Sequence, residues 1–471
     1  MAETQLSLAL GADRAGHALE ATVPAAERHA YGQYFTPQPL IDLVLSLVDP
    51  PRGRVLDFAC GSGRFLLAAR RWGQPLRGFE TDPAALDAAR LNLPDAELHA
   101  QDFLSAPAQG DVALIVGNPP YVRRRGAKRD LYVDFLERSA AHLRPGGQLA
   151  LVLSNAWMDV GYGQAVRELL LADFAVEWIV EGEERWFPGA KVNTVVLVAR
   201  KGRGDVVRFG QVQALPGPVE VLRSVPQTDL PADAPWGPWL RAPQRWFDVD
   251  RSGFVPLGEL ATIRRGYTTN DNGFYYPPAD CGVEERWLRP LLKSPRRVQG
   301  FAFDPSTLPD RVFVAPPDVQ DPGARRWIGD RAEHSLRPMD PARLFVFKGV
   351  HRSFRAPLAS SPLHFDQQVY GLDPAPGVPL EGLAAVLNSH WACLELELAG
   401  RVNFGDGVLW LGLQDLRDKV RLPDPRGLDL QAGWQRLLAT GERSGIDDAL
   451  GLDVGDVARS VTERRLRRAR R

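Results

Sequence analysis

Read for its apolar and polar positions, the first half of the chain falls into short apolar runs separated by amphipathic stretches. Runs with the length and β-branched content of buried strands lie at 54–59, 76–80, 97–101, 112–117, 148–153, 176–180 and 193–198. Helical periodicity fills most of the intervals, beginning with an amphipathic segment at 40–48 and another at 64–72. Strand and helix in alternation predict an α/β domain built on a doubly wound, mostly parallel sheet of seven strands with right-handed crossovers. In such a sheet ligands gather at the carboxyl ends of the strands.

Outside this region the pattern changes. Residues 1–30 are alanine-rich with scattered charge and no strong period, which predicts a loose tail or marginal helix. The first domain then runs over 31–214. Residues 215–245 fill with proline, aspartate and tryptophan and predict a linker; from 246 to 471 short strand-like pieces and many prolines predict a mixed α+β domain. At 471 residues, 44% hydrophobic and 24% charged, the chain has material for two substantial cores. A formal charge of −1 leaves any nucleic-acid contact to local basic patches. The three cysteines and eight histidines show neither disulfide nor metal-ligand spacing, so a reducing cytoplasm and no metal are expected. No signal peptide or membrane segment is expected either, because the apolar stretch nearest the N-terminus is short and carries Asp42.

The strand ends carry the chemistry. Asn118-Pro119-Pro120-Tyr121 follows the apolar run at 112–117, and the two prolines stop the ladder there. The Asn118 side-chain carbonyl and the Pro119 peptide carbonyl are two acceptors suited to an amino group, and Tyr121 offers a flat face to a planar base. Upstream, Asp57-Phe58-Ala59-Cys60-Gly61-Ser62-Gly63 is a turn that brings backbone close to a ligand at a helix start. Glu80 ends the next strand at the distance where an acid accepts from ribose hydroxyls, with Thr81 beside it. Asp102 after the third strand is placed to accept from an exocyclic amine, with Phe103 beside the ring. Before all of these stands Tyr34-Phe35-Thr36-Pro37, with Thr36 expected to cap the following helix and Pro37 to occupy its first position. Taken singly, each acid is as readily a solvated turn residue.

In order and spacing the set resembles the gamma class of DNA adenine-N6 methyltransferases, over residues 31 to about 210. The resemblance implies a Rossmann-like domain that binds S-adenosylmethionine, releases S-adenosylhomocysteine and needs no metal. On it, Tyr34 and Thr36 match the N-terminal cofactor motif, and Asp57, Ala59, Cys60, Gly61 and Gly63 the glycine motif. Glu80 with Thr81 matches the ribose-binding segment, and Asp102 with Phe103 the adenine-contacting one. Asn118 to Tyr121 match the catalytic tetrad, whose Asn118 and Pro120 also border the cofactor. The helix expected from Asp130 resembles the one that backs the cofactor, and Phe187, in Trp186-Phe187-Pro188, the second aromatic face for a flipped adenine.

The second domain resembles, more distantly, a target-recognition domain for double-stranded DNA. Arg264, Arg265, Tyr267, Thr268, Lys348, Arg352 and Arg355 are its candidate contacts, and Arg123, Arg124, Arg125 and Lys128 those next to the tetrad. The resemblance further implies a monomer that works beside a separate restriction endonuclease. Cytosine carbon-5 chemistry is set aside, since no cysteine lies in the 118–121 loop. Cytosine-N4 methylation, RNA or protein-glutamine methylation, and a catalytically inactive DNA-specificity protein remain alternatives.

Overall fold

All seven apolar runs form strands: β1 (Val55–Asp57), β2 (Leu76–Glu80), β3 (Glu97–Ala100), β4 (Val112–Gly117), β5 (Leu143–Ser154), β6 (Phe174–Gly182) and β7 (Thr194–Lys201). The structure, a computed structural model, describes residues 35–121, 130–161, 163–187, 193–316, 318–330, 339–351, 353–401 and 408–470. Tyr34, Arg123, Arg124, Arg125, Lys128, Pro188 and Arg352 lie outside the described residues, as does the stretch 1–30. The chain divides into two compact units, Met1–Arg241 and Ala242–Arg471.

In the first unit the strand order is β3-β2-β1-β4-β5-β7-β6, parallel from β3 to β5, with β7 antiparallel to both its neighbours. Helices α1 (Gln38–Ser46), α2 (Arg64–Ala69), α3 (Pro83–Asn92), α4 (Leu131–His142) and α5 (Gly163–Asp173) accompany the strands. The two-residue period of the central strands sorts their side chains between two cores. Leu149, Leu151 and Leu153 of β5 join Tyr132, Leu136, Val166 and Leu170 from α4 and α5. The intervening Ala150 and Val152 join Leu40, Ile41, Val44, Leu66 and Ala89 from α1, α2 and α3. Because both faces are covered, β4 is buried along its whole length, which is why its sequence is continuously apolar.

Two expectations are corrected. The sheet has nine strands, not seven: β8 (Val206–Val212) runs parallel to β6, and β9 (Glu220–Pro226) pairs antiparallel with β8. The stretch 215–245 is for the most part not a loose connection, since it supplies β9 and then Trp236, which is fully buried against Trp157. Its prolines bound a strand and a turn instead of spacing two bodies.

The second unit has the mixed character expected. Its main sheet runs in the order Ala261–Arg265, Val369–Pro374, Ala342–Phe347, Leu358–Phe365, Leu288–Leu292, Arg311–Phe313, and Ala302–Phe303 also pairs with Leu358–Phe365. The apolar helices Leu380–Leu387 and His390–Ala399 pack Leu383, Val386, Trp391 and Leu394 against Leu344, Tyr370 and Leu372. No helix among the described residues is long and apolar enough to cross a membrane.

Candidate active site

The strand order reverses between β1 and β4, which are direct neighbours, and the crevice beyond their carboxyl ends is where an open parallel sheet takes its ligand. Asp57 stands opposite Val116 in register, so Gly117 and Asn118 emerge beside it. Gly117 has φ 153°, and a Cβ there would sit 2.8 Å from Asp57 Oδ1. Only glycine lets the two strands end this close together.

The turn after β1 is held by the end of β2. Glu80 accepts from the Gly61 N–H at 2.8 Å with one carboxylate oxygen, and from the N–H groups of Thr81 (2.8 Å) and Asp82 (2.9 Å) with the other. Gly61 has φ 54°, and the space a Cβ would take is open, so a ligand can lie against its backbone. Beneath the turn Asp57 is 1% exposed and accepts from the Ala59 N–H at 3.1 Å. Burial pushes its carboxyl up to about 8; the Ala59 N–H opposes this and the Glu80 charge adds to it. The Cys60 thiol is pushed upward by burial and then by the Asp57 and Glu80 charges, which leaves it unreactive. These residues fit a cofactor with a polar, partly cationic portion: the turn is open, its backbone is pinned, and the buried acid lacks a cationic partner among the interactions that govern it.

Asn118 stands at the end of β4, half-buried, and its Nδ2 donates to Thr36 Oγ1 at 3.2 Å. Its Oδ1 accepts from the Tyr121 hydroxyl, which also lies 3.0 Å from the carbonyl of Val152 on β5. Tyr121 thus turns its hydroxyl inward and its half-buried ring lies along the apolar layer. Pro119 is buried and Pro120 half-buried. Thr36 does not cap α1. The cap position is Pro37, one residue later than expected, and the Thr36 side chain goes to Asn118 instead.

The structure therefore brings Thr36, Asp57, the glycine turn, Glu80, Asn118 and Tyr121 to one end of the sheet. Asp102 follows β3, next to β2, and caps a short turn by accepting from the Leu104 N–H at 3.0 Å. Phe103 is placed otherwise: it is 1% exposed, with Phe58, Phe135 and His142 rings 5.5, 5.9 and 4.6 Å from its own. Its faces are taken by the core, so it is not available beside a nucleobase. Phe187 is likewise buried, among Val180, Val196 and Val212. Sequence reasoning missed the Val152 carbonyl and Arg64, which donates to the Thr36 carbonyl at 3.5 Å and lies over the Phe35 ring. A backbone acceptor leaves no signature in a side-chain motif.

In the second unit, Arg265 and Thr268 are exposed and Lys348 is half-buried. Arg264 is committed to Asp373 at 2.6 Å and to the Asp340 carbonyl. Tyr267 is 5% exposed with its hydroxyl 3.1 Å from His364 Nδ1, so it is a core residue and not a surface one. Arg355 is half-buried and donates to the Gln299 carbonyl.

Residues 41–172 match the family described as Methyltransferase small domain. The chain is 26% identical over 334 residues to Type II methyltransferase M.XamI of Xanthomonas campestris pv. amaranthicola, covering 62% of each chain. To Type II methyltransferase M.TthHB8I of Thermus thermophilus it is 34% identical over 207 residues, covering 38% of this chain and 47% of the other. The matched region thus spans less than two thirds of either relative. Among solved structures, the Type IIL restriction-modification enzyme MmeI in complex with DNA is similar over 96% of this chain and 78% of that one, with TM-score 0.56 and 12% identity, a likeness of fold. The first unit is a methyltransferase fold. The resemblance to gamma-class DNA methyltransferases of restriction-modification systems, read from the sequence, is borne out.

Proposed function

We propose that the chain transfers a methyl group from S-adenosylmethionine to the N6 amine of an adenine extruded from double-stranded DNA. The observation that carries this reading is the adjacency of two sites at the β1/β4 crevice: the open turn and acids after β1 and β2, and Asn118-Pro119-Pro120-Tyr121 after β4. Methyltransferases of restriction-modification systems among the relatives support DNA as the substrate.

The cofactor supplies an electrophilic methyl group. Asp57, the backbone of Gly61 and Glu80 hold it; Asp102 orients its base. Asn118 Oδ1 and the Pro119 carbonyl accept hydrogen bonds from the amine, which aims its lone pair and favours the positive charge that develops on nitrogen; the N–C bond would form as the methyl–sulfur bond breaks, S-adenosylhomocysteine being the leaving group and the amine proton passing to solvent. The amine is paired inside a duplex, so the base leaves the stack, and the Tyr121 ring takes one of its faces. The second unit recognises the DNA sequence, through exposed groups such as Arg265 and Thr268. A separate endonuclease of the same specificity is the expected companion.

Incubating the full chain with a mixed-sequence duplex and S-adenosylmethionine, then measuring modified nucleosides by mass spectrometry, tests the reading. N6-methyladenine at one sequence context is expected. N4-methylcytosine, or methyl transfer to RNA or protein alone, overturns it.

A further inference from the structure

We infer that Thr36 is a positioning residue that sets the orientation of the Asn118 amide, and that the Tyr121 hydroxyl occupies the Asn118 acceptor until the target amine displaces it. The inference rests on the reaction proposed above. A carboxamide has a donor end and an acceptor end, and only the acceptor serves an incoming amine. Asn118 Nδ2 donates to Thr36 Oγ1 at 3.2 Å, which turns Oδ1 toward Tyr121. Loss of the acceptor at position 36 removes this bond from the Nδ2 end and weakens the preference for the orientation in which Oδ1 meets the amine.

Thr36 is well fixed for this task. It is 5% exposed, its carbonyl accepts from Arg64 at 3.5 Å, and Pro37 leads directly into α1, whose Leu40, Ile41 and Val44 are fully buried. The pair spans 82 residues of sequence, so the contact joins the entry of α1 to the end of β4. Tyr121 is placed to let go. Its single proton has two acceptors in reach, Asn118 Oδ1 and the Val152 carbonyl at 3.0 Å, so yielding the first leaves it bonded to the second. The acceptor oxygen is thus hydrogen-bonded by Tyr121 in the free protein and is opened to the amine as that hydroxyl turns to the Val152 carbonyl.

The test uses the full chain, with single-turnover methylation at saturating S-adenosylmethionine and cofactor affinity by calorimetry. Thr36→Val keeps the shape and removes the hydroxyl; transfer should slow about tenfold, the value of one well-placed hydrogen bond, while cofactor affinity stays within about twofold. Thr36→Ser should restore transfer to within about threefold of the parent. Tyr121→Phe should lower KM for DNA, because the Asn118 acceptor no longer has to be vacated by the hydroxyl. Equal transfer rates in parent and Thr36→Val overturn the positioning role. So does cofactor affinity that falls in step with rate and is not rescued by serine, since Thr36 then holds the cofactor. An unchanged or raised KM in Tyr121→Phe overturns the exchange. Should Thr36→Val fail to fold, Thr36→Ala against Thr36→Ser makes the same comparison. A parent that yields no N6-methyladenine defeats the proposed reaction; an active parent with an equally active Thr36→Val defeats only this inference.

Discussion

Asp57→Asn should stabilise the cofactor-free protein while weakening its hold on the cofactor. The carboxyl is 1% exposed and is pushed from 3.8 to about 8, mainly by burial. A raised carboxyl pKa means that the folded chain keeps a proton which the unfolded chain has released. Its contribution is therefore most favourable below pH 3.8 and is lost as pH rises through about 8. At pH 7 the loss amounts to roughly 4 kcal/mol as an upper bound, since each tenfold in proton affinity is worth about 1.4 kcal/mol. Asparagine keeps the shape and an acceptor for the Ala59 N–H, and removes the charge. For a unit of this size about 1 kcal/mol corresponds to roughly 2–4 °C, so a rise of several degrees in the melting of the first unit is expected at pH 8 and little change at pH 4. Differential scanning calorimetry resolves the transitions of a two-unit chain better than a single optical probe. Calorimetric titration with S-adenosylmethionine should show affinity lowered at least about tenfold if the carboxylate is recharged opposite the ligand's cationic portion. A variant that melts at or below the parent temperature at pH 8, with the parent's pH slope, refutes the reasoning.

His142 tilts stability the other way. It is 1% exposed, its ring tilted against Phe103, with neither ring nitrogen hydrogen-bonded among the described residues, and it is pushed down from 6.5 to about 4, first by burial and then by the Arg138 and Arg77 charges. Its folded pKa is depressed, so its contribution is present above pH 6.5 and lost toward pH 4; between those values the Asp57 and His142 slopes oppose each other. His142→Phe should remove up to about 3 kcal/mol of acid sensitivity, read as the difference in denaturant midpoints at pH 7 and 4.5. Asn118→Ala should slow single-turnover transfer by about 10²–10³-fold with cofactor affinity retained, as loss of a preorganised stabilising group does. Parent rates in that variant would remove Asn118 from the chemistry. Of the neighbours Arg264 and Arg265, alanine at 265 should weaken DNA binding and reduce its salt slope by about 1 without changing melting. Alanine at 264 should instead destabilise the second unit by about 1–2 kcal/mol, through loss of its bonds to Asp373 and Asp340.

The central strands were legible because burial on both faces forces continuous apolar runs, and β4 is the extreme case. The far side of the sheet was not. β8 and β9 carry Arg208, Glu220 and Arg223 on half-exposed faces, and β9 ends at Pro226, so their composition reads as a connection. At the candidate site, residues that stand at or just past their own strand end, Asp57, Glu80 and Asn118, could be placed from spacing. Thr36 was expected both as a cap and, on the resemblance, in the cofactor motif; it does not cap the helix, and its bond to Asn118, 82 residues away, leaves no local signal. Phe103 was misread because its neighbour Asp102 looked functional, whereas the ring is claimed by Phe58 and Phe135 from distant parts of the chain.

Strand β9 has a practical consequence for anyone excising the first unit. A cut at 214, where the prolines invite one, strips β9 from β8 and leaves a full row of unpaired N–H and C=O groups open to solvent. Such a fragment would pair with its own copies and precipitate. A cut after Arg241 keeps β9, whose charged Glu220 and Arg223 and terminal Pro226 discourage further pairing. It also keeps Trp236 in its buried place against Trp157 and the ion pair of Arg241 with Asp159.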